Sequence, residues 1–257
     1  GKSLLSNTAR YLGPKGTVAR LSNGMNCQNC HLNGGTQNFA NPFSATASTY
    51  PKYRNRSGRI ETVVFRINDC MKRSLNGQEL DSTSAEMQAM VAYIQWVGKQ
   101  VPKGTTPKGA GVEKLPFLSR AASPEKGRQV FLSTCTTCHG KDGQGQRLPD
   151  SSGYVYPPLW GEHSYNISAG LYRLSALAGF IKNNMPYGTS WKKPLLTDEQ
   201  AWDVAAYLVS QPRPVKFFTE DWKDLAKKPY DYPFGPYTDA YTETQHKYGP
   251  FTMMKEK

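Results

Sequence analysis

The sequence predicts a mainly α-helical chain of two tandem domains with long loops and a C-terminal extension. Three observations predict it. The pattern C-x-x-C-H occurs twice, as Cys27-Gln28-Asn29-Cys30-His31 and Cys135-Thr136-Thr137-Cys138-His139. The same features follow each copy: a loop, a candidate ligand position, a capping box and a final amphipathic helix. The copies also align at one offset. Thr83 and Thr197 lie 114 positions apart, and at that offset Ala92-Tyr93-Ile94 falls on Ala206-Tyr207-Leu208.

C-x-x-C-H is the attachment motif of c-type haem. Two thiols on one short turn form thioethers with the haem vinyl groups, and the adjacent histidine ligates the iron. One copy alone would equally suit a redox dithiol or half a zinc site. Two copies on separate halves point to two covalently bound haem c groups, so the domains are expected to be class I cytochrome c-like. Covalent haem attachment happens outside the cytoplasm, which makes a periplasmic location the expectation. Both cysteine pairs are taken up by haem, so no disulfide remains to report the redox compartment.

The 257 residues suffice for two ordinary domains. Hydrophobic residues make up 38%, mean hydropathy is -0.62, and no stretch nears the roughly 18 apolar residues of a membrane span. No signal peptide opens the chain at Gly1, which by itself says little about export. A formal charge of +12 favours anionic partners. The basic residues are scattered rather than blocked, which argues against nucleic acid and leaves a small anion or a redox protein.

In chain order, residues 1–100 form the first domain. Leu4, Leu5, Tyr11 and Leu12 suggest one short helix before Gly13-Pro14. Residues 32–58, rich in Asn, Gly, Ser and Thr, read as a long loop over the first haem. Ile60 to Leu75 is expected to be helical, closed by Asn76-Gly77. Thr83-Ser84-Ala85-Glu86 reads as a capping box before a helix through Met87, Met90, Val91, Ile94 and Val97. A linker follows at 101–119, within a Gly-, Pro- and Lys-rich stretch. The second domain, 120–211, begins a helix at Ser123-Pro124 that delivers Cys135 to His139. Residues 169–184 are expected to be helical and to stop before Met185-Pro186. Thr197-Asp198-Glu199-Gln200 is a second capping box. The extension, 212–257, is rich in Pro, Tyr, Phe and Lys, and its aromatic content predicts an ordered tail packed on the domains.

Each haem needs a second axial ligand. In the second half, Met185 stands in a Met-Pro turn before the last helix, where a thioether would raise the reduction potential. His163 comes too early in the domain, and His246 lies in the tail; both read as hydrogen-bonding histidines. In the first half the leftover cysteine, Cys70, occupies the matching region, with Met71 beside it as an alternative ligand. Spacing alone does not choose between them. Arg66, Cys70 and Ser74 share one helical face at i, i+4 and i+8, with Arg73 next to it. A cationic neighbourhood favours thiolate over thiol.

These residues resemble the dihaem thiosulfate dehydrogenases. The resemblance is carried by both C-x-x-C-H turns, Arg66-Ile67-Asn68-Asp69-Cys70 with Arg73-Ser74-Leu75-Asn76-Gly77, Tyr156-Pro157-Pro158-Leu159-Trp160-Gly161 and Asn184-Met185-Pro186. In the tail it is carried by Pro233-Phe234-Gly235-Pro236-Tyr237 and His246-Lys247-Tyr248-Gly249-Pro250-Phe251. It implies His31/Cys70 ligation of the first haem and His139/Met185 ligation of the second. It also implies coupling of two thiosulfates into tetrathionate. On the present reading Arg66, with Arg59 and Arg73 as secondary candidates, is expected to draw the anions beside Cys70, and an external cytochrome or other redox protein to take the electrons. Some members carry Lys before the distal Met; here that position is Asn184, and Lys182 is poorly placed to substitute. Two rivals stand beside this reading: a non-catalytic dihaem electron carrier, and a sulfur-oxidising cytochrome subunit with another sulfur substrate.

Overall fold

The structure is a computed structural model that describes residues 1–254. The chain opens with α1 (Lys2–Ser6) and α2 (Thr8–Leu12). One helix was expected here; Asn7 leaves helical geometry (φ -127°, ψ 44°) and divides it in two. Residues Cys27–Asn29 make a 3-10 turn, followed by a tight turn, α3 (Leu32–Gly35). The region expected to be a plain loop contains α4 (Ser44–Thr49) and a hairpin of β1 (Lys52–Arg54) and β2 (Arg59–Glu61), with Tyr53 opposite Ile60. Both of those side chains are exposed, so no inside–outside alternation marked the strands.

Strand β2 takes the first residues of the helix expected from Ile60. Helix α5 (Val63–Arg73) starts instead after Thr62, whose side chain accepts from the Phe65 amide at 3.2 Å. Such a cap stabilises a helix by ~1 kcal/mol. Helix α5 ends at Arg73 with Ser74 as its cap, two residues short of the expected Leu75; Asn76 then turns at φ 45° and the Gly77 amide bonds the Met71 carbonyl. Helix α6 (Ala85–Val97) is capped by Ser84, one residue later than Thr83. That shift puts Glu86 at the second helical position, so the expected box does not close. Leu12, Met71, Met87 and Met90 are wholly buried in the first core.

The linker lies along the surface, tied by Gly104 to Ser48, by Gly109 to Phe39 and by Gly111 to Asn41. Helix α7 (Pro124–Thr134) starts at the Ser123 cap and runs into α8 (Thr136–His139). A short ladder of β3 (Gln146–Arg147) and β4 (Tyr154–Tyr156) follows. The helix expected from 169 begins later, as α9 (Leu174–Asn184), because Arg173 is extended behind a 3-10 turn. Helix α10 (Asp198–Ser210) carries the expected Thr197/Gln200 capping box. It crosses α7 closely at Gly127, where a Cβ would sit 1.8 Å from the Asp203 carbonyl oxygen. The second core gathers around Phe131, Trp160, Leu174, Trp202 and Val204.

The described part of the extension packs on both domains. Asp221 reaches Arg73 of α5, and the buried Asp231 accepts from Arg173 and Ser175. Helix α11 (Glu243–Tyr248) precedes Phe251 and Met254, which join the second core. The domains meet through amides. Asn166 donates to the Lys72 carbonyl and Asn76 side chain, both at 2.9 Å, and Asn23 donates to the Ser164 carbonyl at 3.0 Å.

Candidate active site

The first C-x-x-C-H turn is held from outside. Thr8 of α2 accepts from the Cys27 amide at 3.1 Å and donates to its sulfur at 3.3 Å. Asn26 caps the turn reciprocally with Asn29. Phe43 stacks on the His31 ring at 4.6 Å between centroids. The ring reaches that place because position 35 is glycine: at φ 80°, a Cβ there would lie 2.0 Å from the Phe43 ring.

Both motif histidines are oriented alike. His31 Nδ1 lies 2.6 Å from the Asn41 carbonyl, and His139 Nδ1 lies 2.9 Å from the Pro157 carbonyl. Each carbonyl fixes the Nδ1–H tautomer and leaves Nε2 as a lone-pair donor. Burial lowers the His31 pKa to about 4, despite the opposing carbonyl bond, and it lowers that of His139 too. Both imidazoles are therefore neutral, the form that binds a metal. Burial also pushes the Cys27 and Cys30 thiols up to about 11 and about 12. These are apolar surroundings, suited to a macrocycle.

Facing this turn across a cavity is one side of α5. Cys27, Cys30 and His31 line it with the apolar side chains of Leu5, Met25, Phe43, Val63, Ile67, Leu75 and Ile94. From α5 come Arg66, Cys70 and Ser74, together with Met71. The set fits a haem: two thiols and a neutral imidazole on one wall, sulfur on the other, hydrocarbon between. Of the two candidate distal sulfurs, Cys70 lies on the polar row with Arg66 and Ser74. Met71 belongs to the buried core and is 1% exposed.

The charges around Cys70 are organised by a residue the sequence reading passed over. Asp69 is buried and accepts from three arginines. Arg66 reaches it at 2.7 Å, Arg73 at 2.5 Å, and Arg56 also pairs with it. Burial pushes the Asp69 carboxyl up, but Arg56, Arg66 and Arg73 outweigh it and hold the pKa below the ordinary value. The Cys70 sulfur is the largest influence on Arg66 and raises that guanidinium's pKa. Arg66 thus stands between a buried carboxylate and the cavity sulfur.

The other two arginines expected to draw substrate lie elsewhere. Arg73 points away from the cavity: it forms a two-pronged pair with Asp221 at 2.7 Å and lies over the Phe218 ring at 3.9 Å. It clasps the extension to α5. Arg59 is exposed on β2, over Phe65 at 4.1 Å. Arg56, not singled out in the sequence, takes the inner place beside Asp69, brought there by the hairpin.

In the second domain, Cys135 and Met185 pack against the same core cluster. Met185 is the residue that ends α9. Asn184 before it is buried; it donates to the Phe39 carbonyl at 3.1 Å and accepts from Gln37 at 2.7 Å, tying this turn to the first domain. The Lys182 ammonium is bound by Asp198 and the Leu196 carbonyl, both at 2.7 Å. His163 is half-buried in a loop. His246 uses both ring nitrogens, on the Tyr230 carbonyl and on Asp239.

The two helices can be matched end to end. Val63 and Leu174 are 111 positions apart, and so are Arg73 and Asn184; both helices have 11 residues. In this register Arg66, Cys70 and Ser74 correspond to Leu177, Ile181 and Met185. The 114-residue offset of the sequence set Cys70 beside Met185. In the helices, the thiol stands one turn earlier than the thioether.

Comparison with known proteins agrees with this two-part architecture. Residues 17–102 match the family described as "SoxA/TsdA, cytochrome c domain", and residues 124–212 match "Cytochrome c". A thiosulfate dehydrogenase of Psychrobacter arcticus is 40% identical over 79% of this chain and 61% of its own. One of Allochromatium vinosum is 39% identical over 80% of this chain and 77% of its own. Among solved structures, the thiosulfate dehydrogenase TsdBA of Marichromatium purpuratum in its "as isolated" form superposes with a TM-score of 0.74. It has 32% identity, over 83% of this chain and 45% of that one. The chain therefore spans less than two thirds of some of the relatives it matches.

Proposed function

The chain belongs to the thiosulfate dehydrogenase family, and we propose that it joins two thiosulfate anions into tetrathionate in the first domain. The observation that carries the reading is the polar row of Arg66, Cys70 and Ser74 in a mostly apolar cavity, which Asn26 and Thr46 also line, facing the wall that carries His31. A guanidinium there attracts and orients a small sulfur anion more strongly than it would in water, because the surrounding hydrocarbon lowers the local dielectric. Asp69 takes one prong of Arg66 and fixes its direction. Ser74 offers a hydroxyl on the same face, able to donate to a sulfonate oxygen.

The reaction balances as two thiosulfate dianions giving one tetrathionate dianion and two electrons. His31 with Cys70, and His139 with Met185, would hold the two haems. When bound, these would supply one-electron acceptors for the two electrons released, with an external redox protein as the final acceptor. Cys70 as thiolate favours the oxidised state of its site; Met185 as thioether favours the reduced state. That difference gives electrons a direction, outward through the second domain. Tetrathionate reduction would use the same residues in reverse. C-type attachment favours a periplasmic setting.

A plain electron carrier would have no use for a half-buried arginine, anchored by a buried carboxylate, beside a cavity thiol. Steady-state kinetics on the purified dihaem protein separates these readings. Thiosulfate-dependent reduction of an acceptor cytochrome, with tetrathionate as product, is expected. Absence of turnover in either direction, with both haems attached, would remove the proposal.

A further inference from the structure

Arg213 follows α10 and is 8% exposed. Its guanidinium is sandwiched between the rings of Tyr165 at 4.3 Å and Tyr172 at 4.8 Å. One nitrogen, Nη2, donates to the Leu208 carbonyl at 2.6 Å. The other two, Nε and Nη1, are buried without any partner, and among the described residues no carboxylate lies within ion-pair distance of them. A buried guanidinium with orphaned N–H groups is costly unless an anion meets it. The residue is also fixed in place: Pro212 accepts from the Gly161 amide and Pro214 from the Ile167 amide, both on the loop that carries Tyr165.

We infer that Arg213 pairs with a propionate carboxylate of the haem held by the second domain. Burial excludes a freely exchanging solute anion. The carboxylates that a haem-loaded protein carries in its interior are the propionates. Tyr165 and Tyr172 lie in the core of the second domain, which Cys135 and Met185 border; Tyr165 also lies within electrostatic reach of Cys30 of the first turn, so the redox test must resolve the two haems. Arg213 is then a positioning residue. It satisfies the propionate, and its positive charge raises the reduction potential of that haem by offsetting a negative charge near the iron. The inference rests on haem attachment alone and is independent of the sulfur chemistry.

Redox titration of the dihaem protein, resolving the two haems, tests it. Arg213→Gln is expected to shift the ferric–ferrous equilibrium of the second haem about tenfold toward ferric, 59 mV for a one-electron couple, with the first haem unmoved. Arg213→Lys, which keeps the charge, recovers most of that shift. Both haems at parental potential in Arg213→Gln would overturn the inference, as would a shift confined to the first haem. Should that variant fail to load haem, resonance Raman of the parent protein decides. A propionate band of the second haem that moves on H2O to D2O exchange supports the pair, and one that stays fixed overturns it.

Discussion

Helices α5 and α9 have the same length, and each brings a sulfur-bearing residue near its C-terminal end, yet their matching faces differ in chemistry. The row Arg66, Cys70, Ser74 in one is Leu177, Ile181, Met185 in the other. The first presents a cation, a thiol and a hydroxyl to the cavity. The second presents two hydrocarbons and a thioether. Both domains hold their motif histidine through a backbone carbonyl, so the proximal sides are alike. The two halves differ on the opposite side, by three residues along one stripe and a one-turn shift of the sulfur. That shift lets α5 carry Ser74 at the position where α9 carries Met185.

The contrast can be tested from either side. The largest effect is expected from Cys70→Gly, which removes the sulfur from the reacting face. Turnover with thiosulfate should fall by on the order of 10³ or more, while both haems stay attached through their own cysteines. Next is Asp69→Asn. It leaves Arg56, Arg66 and Arg73 around a neutral amide and should cost about 3–5 kcal/mol of stability, seen as a lower melting temperature. It should also raise KM, because Arg66 loses its anchor.

Met185→Leu probes the other helix. It should lower the potential of the second haem by on the order of 100 mV. Redox titration would show that drop with the first haem unchanged. The smallest effect belongs to Asn184→Ala. Loss of its bonds to Gln37 and Phe39 should cost about 1–2 kcal/mol, measured by denaturant unfolding, with kcat little altered.

Much of this organisation was legible in the sequence because its signals are local. C-x-x-C-H states its own chemistry within five residues. Ser123, Thr197 and Asn76 mark helix ends by short-range hydrogen bonds or a left-handed turn. The misplaced features depend on distance in space. The carbonyls of Asn41 and Pro157 that orient the histidines carry no side-chain signature, although Pro157 lay inside a stretch already singled out. Asp69 adjoins Cys70 in the chain, but its role appears only when the hairpin brings Arg56 back to it. Arg73 looked like part of the site from its closeness in sequence. Its i, i+4 relation to Asp69 and its pair with Asp221 turn it toward the extension instead. The register of α5 against α9 was obscured because the segment between the distal helix and the final helix differs in length between the two halves.

The division of labour between the two helices rests on which sulfur faces each iron. Electron paramagnetic resonance of the oxidised protein, compared with Cys70→Ala, addresses that directly. One ferric signal should carry a thiolate signature and be lost in the variant, while the other stays in place. Two signals that are both free of thiolate character and both unchanged by Cys70→Ala would contradict the account.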